Sequence, residues 1–234
     1  MTNEQTILVL AGPKARAVLT ACARSDWSRE AFPWLSVREC FVGIAPATVM
    51  AVSFSGELAY EIHVPNASLY AAYLSLRKAG AAHGLQLFGA RAVESMRMEK
   101  GFLHWKADIL TEFDPFETGL GRFVRLDKGD FVGRAALAQR IADGPRRALV
   151  SLRIDATHAP ARGGASLMRA RAVVGTVTSA DWGHRVGMNL AYAFVLPELA
   201  AVGTRVEVDM YGDLIPAEVI APSPYDPDFA RLRA

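Results

Sequence analysis

The sequence predicts an α+β fold: a mixed α/β region followed by a C-terminal antiparallel β-barrel. Three observations carry that expectation. Helix-like and strand-like periodicities alternate over the first half of the 234 residues. After Gly144-Pro145, strand follows strand at short spacing and no convincing helix intervenes. The composition, 51% hydrophobic and 21% charged, is that of a chain able to bury a core.

The elements follow in order. Thr6-Ile-Leu-Val-Leu10 reads as a strand that stops at Gly12-Pro13, after which a helical stretch runs to about Ala23. Residues 27–38 are irregular and hold Pro33-Trp34. Strand-like runs are expected around 41–44 and 48–53, with Ala45-Pro46 turning between them. Tyr60-Glu-Ile-His-Val64 alternates and ends at Pro65, so it is another strand. Asn66 is placed to cap a helix with Leu69, Ala72, Tyr73 and Leu76 at helical spacing, stopped by Gly84. A second helix is expected from about Ala90 to Lys100, closed by Gly101. Beyond residue 145, the runs 149–154, 173–178, 190–195, 205–210 and 217–220 are rich in β-branched residues. Tyr211-Gly-Asp-Leu214 reads as a hairpin turn within them. The expected domains are 1–144 and 145–234, the second being the barrel.

Lys plus Arg number 26 against 24 Asp plus Glu, and this near-balance argues against a nucleic-acid binder. No apolar stretch has the length of a membrane span, and Met1-Thr2-Asn3-Glu4-Gln5 lacks the order of a leader peptide. Cys22 and Cys40 form no C-x-x-C pair, and the histidines are scattered without ligand spacing, so no metal site is expected. There is no G-x-G-x-x-G, P-loop, G-x-S-x-G or H-E-x-x-H. No flavin or nicotinamide site is therefore expected, and the setting expected is cytoplasmic and reducing.

Three stretches are unusually polar or aromatic. In Phe54-Ser-Gly-Glu-Leu-Ala-Tyr-Glu61 a turn at Gly56 precedes a strand carrying Tyr60 and Glu61. A carboxylate there either accepts hydrogen bonds from an amino-pyrimidine type of heterocycle or simply faces solvent. In Gly89-Ala-Arg-Ala-Val-Glu-Ser-Met-Arg-Met-Glu-Lys-Gly101, Glu94 and Arg97 are spaced to pair. Arg91 sits at the helix start, where the dipole disfavours a cation. Its partner is then either a ligand carboxylate or a neighbouring acid. Phe102-Leu-His-Trp-Lys-Ala-Asp108, with acids and aromatics up to Glu117, suits a pocket for a flat polar ring around Trp105, and suits core packing equally. Arg146-Arg147 either holds an anionic tail or is solvated, and Gly183-His184-Arg185 forms a polar loop without an evident purpose.

At these stretches the sequence resembles the glycine cleavage T-protein family of tetrahydrofolate-dependent aminomethyltransferases, most of all the folate-binding C-terminal portions of dimethylglycine and sarcosine dehydrogenases. The resemblance runs from Ile7-Leu-Val-Leu-Ala-Gly-Pro-Lys-Ala-Arg16 through Ser55-Gly-Glu-Leu-Ala-Tyr-Glu61. It is strongest at Arg91–Gly101 and at Phe123-Val-Arg-Leu-Asp-Lys-Gly-Asp-Phe-Val-Gly-Arg134. It continues in Gly175-Thr-Val-Thr-Ser179 and Tyr225-Asp-Pro-Asp-Phe-Ala-Arg-Leu-Arg233.

The resemblance implies a tetrahydrofolate site. Glu61 matches the family's pterin-contacting glutamate, Arg91 an arginine of the folate site, and Phe54 stands where the family has a tyrosine. With Tyr60 and Trp105 these are the candidate cofactor-binding residues; no catalytic residue is assigned. The aspartate that the family uses near the reacting nitrogen has no match here, because the chain starts inside the family's first folding unit. The expectation is thus a component of an aminomethyl or methyl transferase whose partner chain supplies the rest, or one that self-associates. Its substrates would be folate and a small methylated amine or amino acid. The alternative is a folate-binding or scaffold protein without turnover. A branch of the superfamily that serves iron–sulfur maturation carries a cysteine after its Lys-Gly pair; here Phe102 follows Lys100-Gly101, which disfavours that branch.

Overall fold

The computed structural model describes residues 4–234; Met1-Thr2-Asn3, read above for a leader, lie outside the described residues. The chain divides into two compact units, one of residues up to 97 together with 226–234, the other of residues 98–225.

In the first unit, β1 (Gln5–Ala11), β2 (Val37–Val42), β3 (Ala45–Met50) and β4 (Ala59–Pro65) form an antiparallel sheet in the order β1-β4-β3-β2. Helices α1 (Ala15–Cys22) and α2 (Leu69–Ala81) pack on one face of it. Alternate strand residues, among them Val42, Val49, Tyr60, Ile62 and Val64, are fully buried against Val18, Leu19, Ala72 and Leu76. The irregular stretch after α1 fills the core with rings: Trp27 meets Phe32 edge-on at 4.9 Å, and Phe32 stacks on Tyr60 at 6.1 Å.

The expected turn at Ala45-Pro46 is displaced. The hairpin closes at Gly43-Ile44, with Val42 opposite Ala45 and Pro46 already in the strand. Gly43 takes φ +62°, and a Cβ on it would lie 2.1 Å from Ser75 Oγ. Pro46 is tolerated because its nitrogen points away from β2, where the β3–β4 pairing has not yet begun. Asn66 starts a 3-10 turn and accepts the Thr6 hydroxyl at 2.5 Å, so α2 proper begins at Leu69.

The second unit opens with the end of helix α3 (Ala90–Lys100), which coincides with the expected span. Turns and a 3-10 helix (Gly121–Phe123) lead to α4 (Arg134–Asp143), a helix that the sequence reading did not foresee and that buries none of its residues. Then β5 (Ala148–Ile154), β6 (Ser166–Arg169), β7 (Ala172–Gly183), β8 (Met188–Val195), β9 (Arg205–Met210) and β10 (Asp213–Ile220) close an antiparallel barrel in the order β10-β5-β8-β7-β6-β9. Leu152, Leu167, Val177, Val195, Val208 and Val219 fill its core, and closure leaves no edge. Strand β6 was missed because Ser-Leu-Met-Arg holds no β-branched or aromatic residue. The hairpin at Tyr211-Gly212 has both residues at positive φ, as a two-residue turn demands.

Gly101 ends α3 at φ +79°, and a Cβ there would lie 2.2 Å from the Pro222 carbonyl oxygen. Gly101→Ala is expected to destabilise the protein by about 2–3 kcal/mol. Gly89→Ala, with open space around it and no positive φ, is expected to change stability by less than about 0.5 kcal/mol. Thermal or urea unfolding of the two variants checks this.

Candidate functional site

The pleat of β4 decides what the first unit presents outward. Tyr60, Ile62 and Val64 point into the core, so Glu61 and His63 share the opposite, half-exposed face. There His63 Nε2 lies 3.3 Å from Glu61 Oε2. Glu61 stands opposite Val9 on β1 and Met50 on β3, and His63 opposite Ile7 and Thr48. Ile7 and Val9 are about half exposed. The result is a carboxylate flanked by Val9 and Met50 and bonded through one oxygen to His63, with a second oxygen open to accept donors. His63 was not singled out by the sequence reading; the signal was its spacing of two from Glu61 along a strand.

Tyr60 lies on the other side of the sheet. Its ring is fully buried, and its hydroxyl has no hydrogen-bond partner among the described residues. Burial pushes its ionisation upward. Phe54, half-buried, sits in the turn before β4. In that turn Ser53 Oγ accepts the Gly56 N–H at 3.1 Å and Ser55 Oγ accepts the Glu57 N–H at 3.3 Å. The Glu57 carboxylate lies 3.7 Å from Arg231 in the C-terminal tail. In that tail the Asp226 carboxylate accepts the Ala230 and Arg231 N–H groups.

Arg91 is exposed in the first turn of α3 and makes no ion pair among the described residues. The neighbouring-acid reading is therefore not what the structure holds. Further along the helix, Arg97 Nε donates to Glu94 Oε2 at 2.9 Å, as the three-residue spacing predicts.

Trp105 belongs to the second unit and is 62% exposed. The acids around it have a structural task. Asp108 is fully buried and accepts the Thr178 hydroxyl at 2.5 Å, the Ser179 hydroxyl at 2.6 Å and the His104 N–H at 2.8 Å. A bulge in β7 at Thr178 aims both hydroxyls at it. Glu99, also fully buried, accepts the backbone N–H and guanidinium of Arg185 and the Val186 N–H. This gives the 183–185 loop a purpose; a Cβ on Gly183 would lie 2.9 Å from Glu99 Cγ.

Glu117 takes the Arg146 and Arg147 N–H groups at 3.0 and 3.1 Å, the Asp114 N–H at 3.1 Å and the Arg146 guanidinium at 3.2 Å. Arg146 is thus committed to Glu117 rather than to an anionic tail. Burial pushes the Glu117 carboxyl up, but the hydrogen bonds from Arg146 and from the Asp114 and Arg146 backbone outweigh it and leave it below the usual range.

Among the described residues no helix is long and apolar enough to cross a membrane, and no group of three or more His, Cys, Asp or Glu is placed to hold a metal ion. Cys22 and Cys40 are free thiols, and burial raises Cys22 to about 11.

Comparison with known proteins fits this architecture. Residues 1–128 match the GCVT N-terminal domain and residues 147–226 the glycine cleavage T-protein C-terminal barrel domain. The chain belongs to the glycine cleavage T-protein family of aminomethyltransferases. It is 34% identical to human (Homo sapiens) mitochondrial dimethylglycine dehydrogenase over 94% of this chain and 26% of that protein. It is 33% identical to an aminomethyltransferase of Saccharopolyspora erythraea over 94% of this chain and 60% of that protein. The crystal structure of glycine cleavage system aminomethyltransferase T from Bartonella henselae superposes with a TM-score of 0.82 at 25% identity, covering 98% of this chain and 60% of that one. The chain therefore spans about a quarter of the dehydrogenase and three fifths of the aminomethyltransferases.

Two outcomes follow from the buried acids. Asp108→Ala removes the shared acceptor of three donors, of which the Thr178 hydroxyl keeps the Tyr192 carbonyl at 3.3 Å, and is expected to cost about 2–4 kcal/mol in urea unfolding. Because Glu117 is depressed in the fold, its contribution is fully present above the ordinary glutamate value of 4.5 and is lost as pH falls through the lower folded value. Urea midpoints at pH 7 and pH 3 are expected to differ less in Glu117→Gln than in the wild type.

Proposed function

We infer that this chain is the tetrahydrofolate-binding component of a one-carbon transferase, moving an aminomethyl or methyl group from a small methylated amine or amino acid, with a partner chain supplying the remaining part of the enzyme. The observation that carries the reading is Glu61: an acceptor-only carboxylate held outward on β4 between Val9 and Met50, where amino and ring N–H donors of a pterin find a charge-assisted match. Arg91 supports it as a cation without an ion pair among the described residues, suited to the carboxylates of a folate glutamate tail.

Tetrahydrofolate, when bound, supplies the nucleophilic nitrogen that takes up the one-carbon unit. This chain's residues bind and orient. Glu61 fixes the ring by its donor pattern, Phe54 in the turn before β4 offers an aromatic face, and Val9 and Met50 give apolar contact on either side of Glu61. Such positioning lowers the barrier by pre-paid orientation. The two free thiols suit a reducing, cytoplasmic-type setting.

Calorimetric titration of the folded 234-residue chain with tetrahydrofolate tests the reading. The expected result is saturable one-site binding, weakened about tenfold or more by Glu61→Ala and by Arg91→Ala. Affinity indifferent to both substitutions, or no uptake by the folded chain, contradicts it and leaves a scaffold role.

A further inference from the structure

Strand β1 is one edge of the four-stranded sheet, and its backbone parity shows which groups are unused. Gly12 N–H donates to Leu58 O at 2.9 Å and Asn66 N–H to Glu4 O at 3.0 Å. Antiparallel pairs alternate, so the even-numbered residues of β1 bond to β4. The N–H and C=O groups of Gln5, Ile7, Val9 and Ala11 therefore face the free edge, and none has a partner among the described residues. The strand, Gln-Thr-Ile-Leu-Val-Leu-Ala, carries none of the usual protections of an edge: no charge and no proline.

Beside this edge runs a groove of about 690 Å3. Ile7 and Val9 line it from the strand, and Leu87 (67% exposed) and Phe88 (44% exposed) from the segment before α3. Its charges are all of one sign. Lys14, Arg77 and His83 line it, and no Asp or Glu does. Neither Lys14 nor Arg77 has an ion pair among the described residues. A second copy of the chain would bring the same two cations and no lining carboxylate, so the electrostatics disfavour it.

We propose that this groove seats an extended segment of a partner polypeptide, apolar at alternate positions and carrying carboxylates at its ends, which joins the sheet as a fifth strand along β1. Main-chain bonds to the four unused residues hold it, its alternate side chains fill the apolar groove, and its carboxylates meet Lys14 and Arg77. In naming a partner the inference rests on the reading above that another chain completes the enzyme.

The test measures fluorescence anisotropy of a labelled peptide of alternating valine and threonine with glutamate at both ends, against the same peptide ended by lysine. The wild-type chain is expected to bind the glutamate peptide saturably and at least about tenfold more tightly than the lysine peptide. Val9→Pro removes an edge N–H outside the β1–β4 ladder and is expected to abolish binding, with folding checked by circular dichroism. The surface double variant Lys14→Glu/Arg77→Glu, which alters no buried group, is expected to reverse the peptide preference. Unsaturable binding, binding unchanged by Val9→Pro, or an unreversed preference overturns the proposal. So does a wild-type dimer in sedimentation that Val9→Pro dissociates, which would make the occupant a second copy. No folate enters the assay, so its failure leaves the folate reading standing, and lost folate binding leaves this one standing.

Discussion

The two-residue repeat of β4 is the constraint on which the candidate site depends. Tyr60, Ile62 and Val64 bury fully, and that burial locks the register against β1 and β3. A slip of one residue would drive Glu61 and His63 into the core and turn Tyr60 outward, at a cost of several kcal/mol for the buried carboxylate alone. The core thus fixes where the outward acid stands, between Val9 and Met50 and beside His63.

The second unit relies on buried acids as joints. Glu99, Asp108 and Glu117 anchor segments that carry few regular backbone bonds of their own, and each is satisfied by backbone N–H groups plus hydroxyls or a guanidinium. A buried carboxylate is tolerated only with such a full set of donors. The arrangement also accounts for local sequence features that resist explanation by packing alone. The Thr-Val-Thr-Ser run exists to present two hydroxyls through a bulge, and Gly183 is bare because Glu99 occupies the space.

Much of this was legible in the sequence. The barrel strands and α3 announce themselves by β-branched runs and by helical spacing ended with glycine, and the pairing of Glu94 with Arg97 by its spacing of three. What escaped has physical reasons. Strand β6 lacks β-propensity and exists through its pairing with β7 and β9. Helix α4 buries none of its residues, so no apolar face marked it. The Gly43 turn was hidden by Pro46, whose nitrogen finds an unpaired stretch only once the hairpin register is known. That Tyr60 and Glu61, adjacent in one motif, face opposite sides of the sheet follows from the pleat. That the Arg146 guanidinium serves Glu117 joins residues 29 positions apart, beyond any local pattern.

The central claim, that the outward face of β4 and the start of α3 bind folate, is tested most directly by backbone hydrogen exchange with and without tetrahydrofolate. The account predicts slowed exchange confined to residues around 54–63 and 89–93, with the barrel unchanged. Protection restricted to the barrel strands, or none at saturating tetrahydrofolate, would contradict it.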